Sequence, residues 1–501
     1  MSVPEFTNLG DIIRHDLDPS KIGLIDLGGE DGPREYSYSQ IEGHIQSVVC
    51  GLQALELRRG DRIAILSANR AEFLFAYFGI MRAGLVAVPI NCKFPRQMIE
   101  FVVRDSDAVL VFCDSQRILD VPEGVPKVVF YDKGNQGFDS FVKTGTCLAI
   151  TPEPKEVGMY LYTSGSMGKP KGVMLSHESH IWVAKTRLGK NDWSAHRFLV
   201  AAPLYHMNAL ALAKLSIMAH ATMVLLPQFT AKAYLEAIQK YRCTWLTAVP
   251  PMIAMMLQEK ELVRKTDFSS VQLLRMGSAP VSSSLLDSIR QILPKVLVSN
   301  AYGTTEGGPV VFGPHPQGLI QPPLSVGYPH PEVQLRLENG VLEMKSRGLM
   351  NGYHKGAMRN PPLKDPFTSD GFYVTGDMFR CDENGFYYFI GRNDDMFVSG
   401  GENIFPSEVE RLLESHPNVQ QAAVVPVEDE IKGQKPAAFV VIKPGSQLLA
   451  EDLKTFCLKN APAYQHPRWI WFVDALPLAS TNKIDKRLLE SQAKIQTSIA
   501  T

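Results

Sequence analysis

The strongest constraint on the fold is an alternation that begins at Asp61. "RIAILS" reads as a strand, "AEFLFAYFGIMRAG" as a helix with Leu74, Tyr77, Phe78 and Met81 on one stripe, "LVAVPI" as a strand, "RQMIEFVVRDS" as a helix and "AVLVFC" as another strand. Near-continuous apolar strands separated by amphipathic helices predict a parallel, doubly wound sheet. The pattern returns from "ATMVLLP" (221–227) to "VLVSNAYG" (296–303), with "TWLTAVP" and "LLRMGSA" as the strands between. Two such layers predict two packed α/β subdomains. In open sheets of this kind ligands sit beyond the carboxyl ends of the strands. That rule puts "AVPP", "MGSAPV" and "AYGTTE" on one rim, because each directly follows a strand.

After about Gln334 the texture changes to short β signals, with "VQLRLENGVLEMKS" a hairpin around Asn339-Gly340 and "GFYYFIGR" a further strand. From "NDDMFVSGGENIFP" onward the pattern is a small α+β unit. The fold class expected is therefore α/β: a large N-terminal domain of two doubly wound subdomains plus a β-rich subdomain, over residues 1–393. A small, mobile α+β domain over 394–501 follows it. A chain of 501 residues is long enough for this without covalent staples.

Charge and cysteines narrow the class. Lys plus Arg total 51 against 52 Asp plus Glu, a net charge of −1, so no global field draws in nucleic acid or an acidic membrane. Any phosphate binding must be local. The seven cysteines are scattered without a C-x-x-C pair, which reads as reduced thiols in a cytoplasmic protein. The N-terminus resembles neither a secretory signal nor a transit peptide. The most apolar segment is interrupted by Arg82 and falls short of a membrane span. A homodimer is compatible with the sequence and is not specified by it.

"YTSGSMGKPKG" (Tyr162 to Gly172) raises the chemical question. Hydroxyls, backbone N–H groups, close-approach glycines and lysines suit a phosphate-holding loop. A surface turn has the same composition. It is not a Walker A loop, since two residues separate Gly165 from Gly168 and Pro170 follows Lys169. Together with "AYGTTE", "YVTGD", "GRNDDMFVSGGENIFPSEVE" and "TNKIDK", in that order, it resembles the adenylate-forming superfamily: acyl-CoA synthetases, 4-coumarate-CoA ligases, luciferases and peptide-synthetase adenylation domains.

The resemblance implies ATP, Mg2+ and coenzyme A, and a role for each motif. Thr163, Ser164, Gly165, Ser166, Gly168 and Lys169 would wrap the leaving phosphates; Met167 stands where the family usually has threonine. Tyr302 would stack on adenine, Thr305 would touch the α-phosphate and Glu306 would bind magnesium, one carboxylate sufficing beside phosphate oxygens. Ser278, Ala279, Pro280, Ala301, Gly303 and Thr304 would complete the nucleotide site. Asp377 and Arg392 would hold the ribose hydroxyls. Lys483 would bridge the carboxylate and the α-phosphate, with Asn482 replacing the usual glycine before it. Asp394 would be the hinge, and Gly400 and Gly401 would admit the pantetheine arm.

The acyl pocket nominated is His206, Val249, Met252, Gly277, Ser278, Ala279, Gly303 and Gly308, with small residues leaving room and apolar ones forming walls. None of these carries a charge to pair with a second carboxylate or an amino group. The expected reaction is an AMP-forming acid–CoA ligation of a monocarboxylic acid, hydroxycinnamate-like (4-coumarate or ferulate type) or medium-chain. A carrier-protein acceptor in trans, a non-catalytic nucleotide-binding protein and a luciferase-like oxygenase are the alternatives.

Overall fold

Each apolar run of the first alternation becomes a strand of one sheet. The computed structural model describes residues 4–29, 32–131, 134, 137–163, 169–356, 363, 365–479 and 483–499. Six strands stand in the order Lys127–Phe130, Ala108–Asp114, Arg62–Leu66, Val86–Pro89, Val157–Thr163 and Lys171–Ser176. All neighbours are parallel except the last pair, in which Thr163 opposes Lys171. The hydroxyl-rich segment thus connects two antiparallel strands. Its residues Ser164, Gly165, Ser166, Met167 and Gly168 lie outside the described residues, as do Thr481 and Asn482.

The second alternation builds a seven-stranded sheet in the order Leu297–Ala301, Leu273–Gly277, Trp245–Ala248, Arg197–Val200, Thr222–Leu225, Ile22–Asp26 and Arg34–Ser37. Ile22–Asp26 joins it in parallel beside Thr222–Leu225, a pairing between distant parts of the chain that no local pattern announces.

One expectation about helix character is corrected. Helix Ala71–Arg82 is buried all round rather than amphipathic. It lies in the core cluster that also takes in residues of helices Tyr38–Gln53, His177–Leu188 and Met207–Met218 and of both sheets, so it has no solvent face. Arg82 survives there because Glu42 Oε1 at 2.5 Å, Asp11 Oδ1 at 3.0 Å and the Gly10 carbonyl receive its guanidinium. A separate cluster fills the other face of the seven-stranded sheet, under helices Ala231–Lys240, Pro250–Gln258 and Ser283–Ile292.

The reading of seven reduced thiols is also corrected. Cys50 and Cys147 are joined in a disulfide across a sequence separation of 97, leaving Cys92, Cys113, Cys243, Cys381 and Cys457 free. The cause is tertiary: Gln46 Nε2 donates to the Cys147 carbonyl at 2.6 Å and Lys143 N–H to the Ser47 carbonyl at 3.0 Å, which lays the loop along helix Tyr38–Gln53.

Beyond residue 333 the β-rich part is a four-stranded antiparallel sheet, Gln334–Glu338, Val341–Lys345, Tyr373–Cys381 and Tyr387–Arg392. Asn339 and Gly340, at φ +50° and +81°, supply the two left-handed residues of its first hairpin. A single turn, Asn393–Asp395, leads from this sheet into the small C-terminal sheet, whose long strands Val419–Asp429 and Gly433–Ile442 pair antiparallel. Among the described residues no helix is long and apolar enough to cross a membrane.

Candidate active site

Three parallel strands of the seven-stranded sheet, Trp245–Ala248, Leu273–Gly277 and Leu297–Ala301, end at one edge, with Ala248 beside Met276 and Gly277 beside Ala301. The rim expected from the strand order is therefore formed. Immediately beyond the strands stand Val249, Ser278 and Tyr302. Ser278 is a non-glycine residue at φ +66°, a strain of order 1–3 kcal/mol of the sort that gathers at functional rims. Ala279 is half-buried beside it, and Pro280 is exposed.

Glycines on this rim serve backbone packing. A Cβ on Gly277 would lie 2.8 Å from the Ala301 carbonyl oxygen, and one on Gly303 would lie 2.8 Å from the Gly308 carbonyl oxygen. Thr304 and Gly308 pair across the turn, with the Gly308 N–H donating to the Thr304 carbonyl at 2.9 Å. These positions need glycine to let chains approach, which differs from leaving space for an acyl group. Val249 and Met252 are likewise enclosed in the cluster under the outer helices, because helix Pro250–Gln258 starts at the strand end and turns them there.

The two residues expected at adenine and ribose meet. Tyr302 OH donates to Asp377 Oδ2 at 2.5 Å, and Arg392 Nε stands 3.4 Å from Asp377 Oδ1. Asp377 and Arg392 are register partners on adjacent strands, so sheet geometry fixes the pair. Burial raises the Asp377 pKa, with Arg392, the Tyr302 hydroxyl and Lys483 opposing it. Among the described residues its Oδ1 has no hydrogen-bond donor, leaving an acceptor for a hydroxyl.

Glu306 joins two distant motifs. Its Oε1 accepts from Tyr353 OH at 3.1 Å and from Thr163 Oγ1 at 3.4 Å, and its carbonyl accepts the Met350 N–H at 2.8 Å. The second residue of the hydroxyl-rich segment thus touches the carboxylate expected at magnesium. Among the described residues no group of three His, Cys, Asp or Glu could hold a metal, so a cation here would draw its other ligands from phosphate oxygens and water. Lys169 is exposed, with Nζ 5.4 Å from the centre of the Phe101 ring. Thr305 is half-buried between Glu306 and the turn.

The C-terminal domain brings Lys483 to this edge. The chain flanking it is tied by the Ala479 N–H donating to the Lys483 carbonyl at 2.7 Å and by pairing of Leu478 with Ile484. Lys483 keeps accessible surface as a residue, yet burial around its ammonium, then Arg392, lowers its pKa, while Asp377 and Glu306 pull the other way. His206, which precedes helix Met207–Met218, feels the same lysine: burial, then Lys483 and Lys93, push its pKa down to about 3. Its Nε2 has no hydrogen-bond partner among the described residues.

Asp394 sits in the connecting turn, exposed, with Oδ2 3.6 Å from Arg392 Nη2. Gly400 and Gly401, at φ +60° and +92°, form the two-residue turn of hairpin Phe397–Ser399/Glu402–Ile404, held by Gly400 N–H to the Lys432 carbonyl. They lie on the small sheet, apart from the Glu306 group.

Sequence reasoning passed over Tyr353, Lys93, Arg187, Lys214 and Arg275. Two of these had a signal: Lys214 interrupts the apolar run "ALALAKLSIM", and Arg275 precedes Gly277 by one strand period.

Residues 16–354 match the family model described as AMP-binding enzyme, and residues 408–483 match that of the AMP-binding enzyme C-terminal domain. Similar curated proteins include a feruloyl-CoA synthase of Amycolatopsis sp, 30% identical over 475 residues covering 91% of this chain and 93% of that one. A 2-succinylbenzoate–CoA ligase of Bacillus licheniformis is 29% identical, covering 95% and 98%. Among solved structures, the anthranilate CoA ligase AuaEII in complex with anthranoyl-AMP superposes with a TM-score of 0.87 at 25% identity, covering 99% of each chain.

Proposed function

The chain belongs to the AMP-binding enzyme family, and from that premise we propose that it ligates a carboxylic acid to coenzyme A with cleavage of ATP to AMP and pyrophosphate. The acid has an apolar body, hydroxycinnamate-like or medium-chain. The observation that carries the reading is convergence: Thr163, Tyr302, Glu306, Asp377, Arg392 and Lys483, drawn from five separate motifs, gather at one strand edge.

In the first half-reaction a carboxylate oxygen of the acid attacks the α-phosphorus, the bond to the bridging oxygen breaks, and pyrophosphate leaves. The chain's part is positioning and charge neutralisation. Asp377 accepts from a ribose hydroxyl through the free Oδ1 and is steadied by Tyr302; Arg392 adds a donor. Lys483 neutralises charge that moves between carboxylate and α-phosphate. Glu306 would hold magnesium, whose charge offsets that of the departing phosphates, and Thr163 and Tyr353 fix that carboxylate. In the second half-reaction the thiol sulfur attacks the acyl carbon and the carbon–oxygen bond to AMP breaks. Domain rotation at Asp394 would withdraw Lys483 and bring up Gly400 and Gly401.

AMP and pyrophosphate release across aryl, hydroxycinnamic and fatty acids, with and without coenzyme A, tests the reading. Release dependent on acid and coenzyme A, with acyl-CoA confirmed by mass, is expected. Adenylate that accumulates regardless of coenzyme A would overturn it in favour of a carrier-protein acceptor.

A further inference from the structure

Behind the rim lies a group of cations that the chemistry above does not use. Register sets Thr247, Arg275 and Ser299 side by side on three adjacent strands, and Arg275 shares its sheet face with Gly277, two residues on. Leu274 and Met276 point to the outer helices, whereas Leu273 and Trp245 pack into the cluster of helices His177–Leu188 and Met207–Met218. Arg275 therefore lies between the sheet and those two helices. From them come Arg187 and Lys214.

Among the described residues these three meet no counter-charge. Lys214 is wholly buried, and its Nζ is 3.0 Å from His180 Nδ1. Burial, then Arg187, lowers its pKa to about 7; burial, then Arg275, lowers that of Arg187 to about 9; burial alone lowers Arg275 to about 10. Among the described residues no carboxylate acts on any of them. Arg187 and Arg275 nonetheless keep accessible surface. Beside them, Thr247 Oγ1 and His180 Nε2 are buried with no hydrogen-bond partner among the described residues. Clustered, desolvated cations with orphaned neighbours are costly unless an anion joins them.

The cluster lies along the helix from His206 and behind Gly308. Lys214 follows His206 by eight residues along one helix, about 12 Å of axial rise. Leu210 and Ala211 between them are apolar and buried. Val183, one turn before Arg187, packs behind Gly308, and Arg275 Nη2 donates to the Pro309 carbonyl at 3.5 Å. We propose that the acid this enzyme activates carries a second carboxylate at its far end, held by Arg275 and Arg187, with the buried Lys214 behind them adding its charge. The inference rests on the ligase reading and replaces the monocarboxylic expectation, which considered only uncharged wall positions.

The test uses matched pairs, octanedioate against octanoate and 4-carboxycinnamate against cinnamate, with the full chain. In AMP release the diacid of at least one pair should win by roughly 100-fold in kcat/KM, mostly through KM, as expected for two charge-assisted hydrogen bonds. Arg275→Leu, Arg187→Leu and Lys214→Met should each cost the diacid at least about tenfold more than the monoacid. Lys214→Met also guards against misfolding, since replacing a buried charge by an apolar side chain of similar size is often neutral or stabilising. Thermal stabilisation of the protein by each acid reads the same site without turnover. Monoacids preferred in both assays, or equal losses on both acids in folded variants, would overturn the proposal and leave the ligase standing. Diacid stabilisation without AMP release from any acid would keep the anion site and overturn the ligase.

Discussion

The nucleotide edge and the Lys483 turn are built in opposite ways. Asp377 is held by a 2.5 Å hydrogen bond from Tyr302 and a register-paired Arg392, and Glu306 by hydroxyls of Thr163 and Tyr353. No hydrogen bond or ion pair to a described residue ties the Lys483 ammonium; charge and desolvation alone define its place. A prebuilt binding edge spares the cost of ordering groups at the moment of reaction. An untethered lysine can leave without breaking a bond of its own. What holds it near is elsewhere: Ser407 Oγ donates to the Ile390 carbonyl, and Arg411 donates to the Phe389 carbonyl at 3.2 Å and to that of Ile390 at 3.3 Å.

The sharpest way to break this contrast is Lys483→Ala. Adenylate formation should fall by roughly 100- to 1,000-fold, the loss expected when one aligned charge or donor is removed. Thioester formation from supplied acyl-adenylate should be largely spared. Equal losses in the two half-reactions, measured separately, would mean that the lysine is as fixed as the edge. Asp394→Pro comes next. By restricting φ in the connecting turn it should slow one half-reaction about tenfold more than the other. Parallel losses would argue for a domain that does not rotate.

Asp377→Asn probes the rigid side. It keeps the shape and removes the charge that Tyr302 and Arg392 face, so KM for ATP should rise about 10- to 100-fold with a smaller change in kcat. The pH sign follows from burial: a raised pKa keeps the carboxyl protonated to higher pH than a free aspartate, so ATP binding by wild type should weaken on acidification earlier than an exposed carboxylate would predict. A profile flat down to the ordinary aspartate range would mean that Arg392 and Lys483 outweigh burial. Arg411→Ala should cost adenylation only about threefold, since its guanidinium holds the two domains together through single hydrogen bonds to carbonyls, each worth little by itself.

The two sides also differ in what the sequence revealed. Strands such as Val86–Pro89 and Thr222–Leu225 were legible because a strand buried on both faces reads as a near-continuous apolar run, and the rim followed from strand order. Asp377 and Arg392 were legible as motif residues, but not their pairing with each other and Tyr302, which depends on strand register. The burial of Ala71–Arg82, the place of strand Ile22–Asp26 and the Cys50–Cys147 bond depend on contacts between distant segments, which periodicity does not encode. Arg275 was missed because the rim rule points to the residues after a strand, while a charged side chain inside the strand was the departure from pattern.

The smallest effect tests proximity itself. His206 is neutral because it is buried, with Lys483 and Lys93 adding to the depression to about 3. The pKa is below the unfolded value, so the neutral form stabilises the fold above about pH 6.5, and that contribution is lost as pH falls from there toward the folded pKa. Between about pH 6.5 and 9 the ring should therefore contribute no inflection to adenylation. Removing or withdrawing the lysine deletes one cause but leaves burial, the larger one, so Lys483→Ala should raise the His206 pKa only modestly. Nitrogen-15 shifts of the imidazole, followed by NMR titration in wild type and variant, read this directly. An upward shift places the ammonium beside the histidine in the resting enzyme. Coincident titrations would mean that the domain already stands turned away, and that the contrast between fixed edge and loose lysine is one of position as well as tethering.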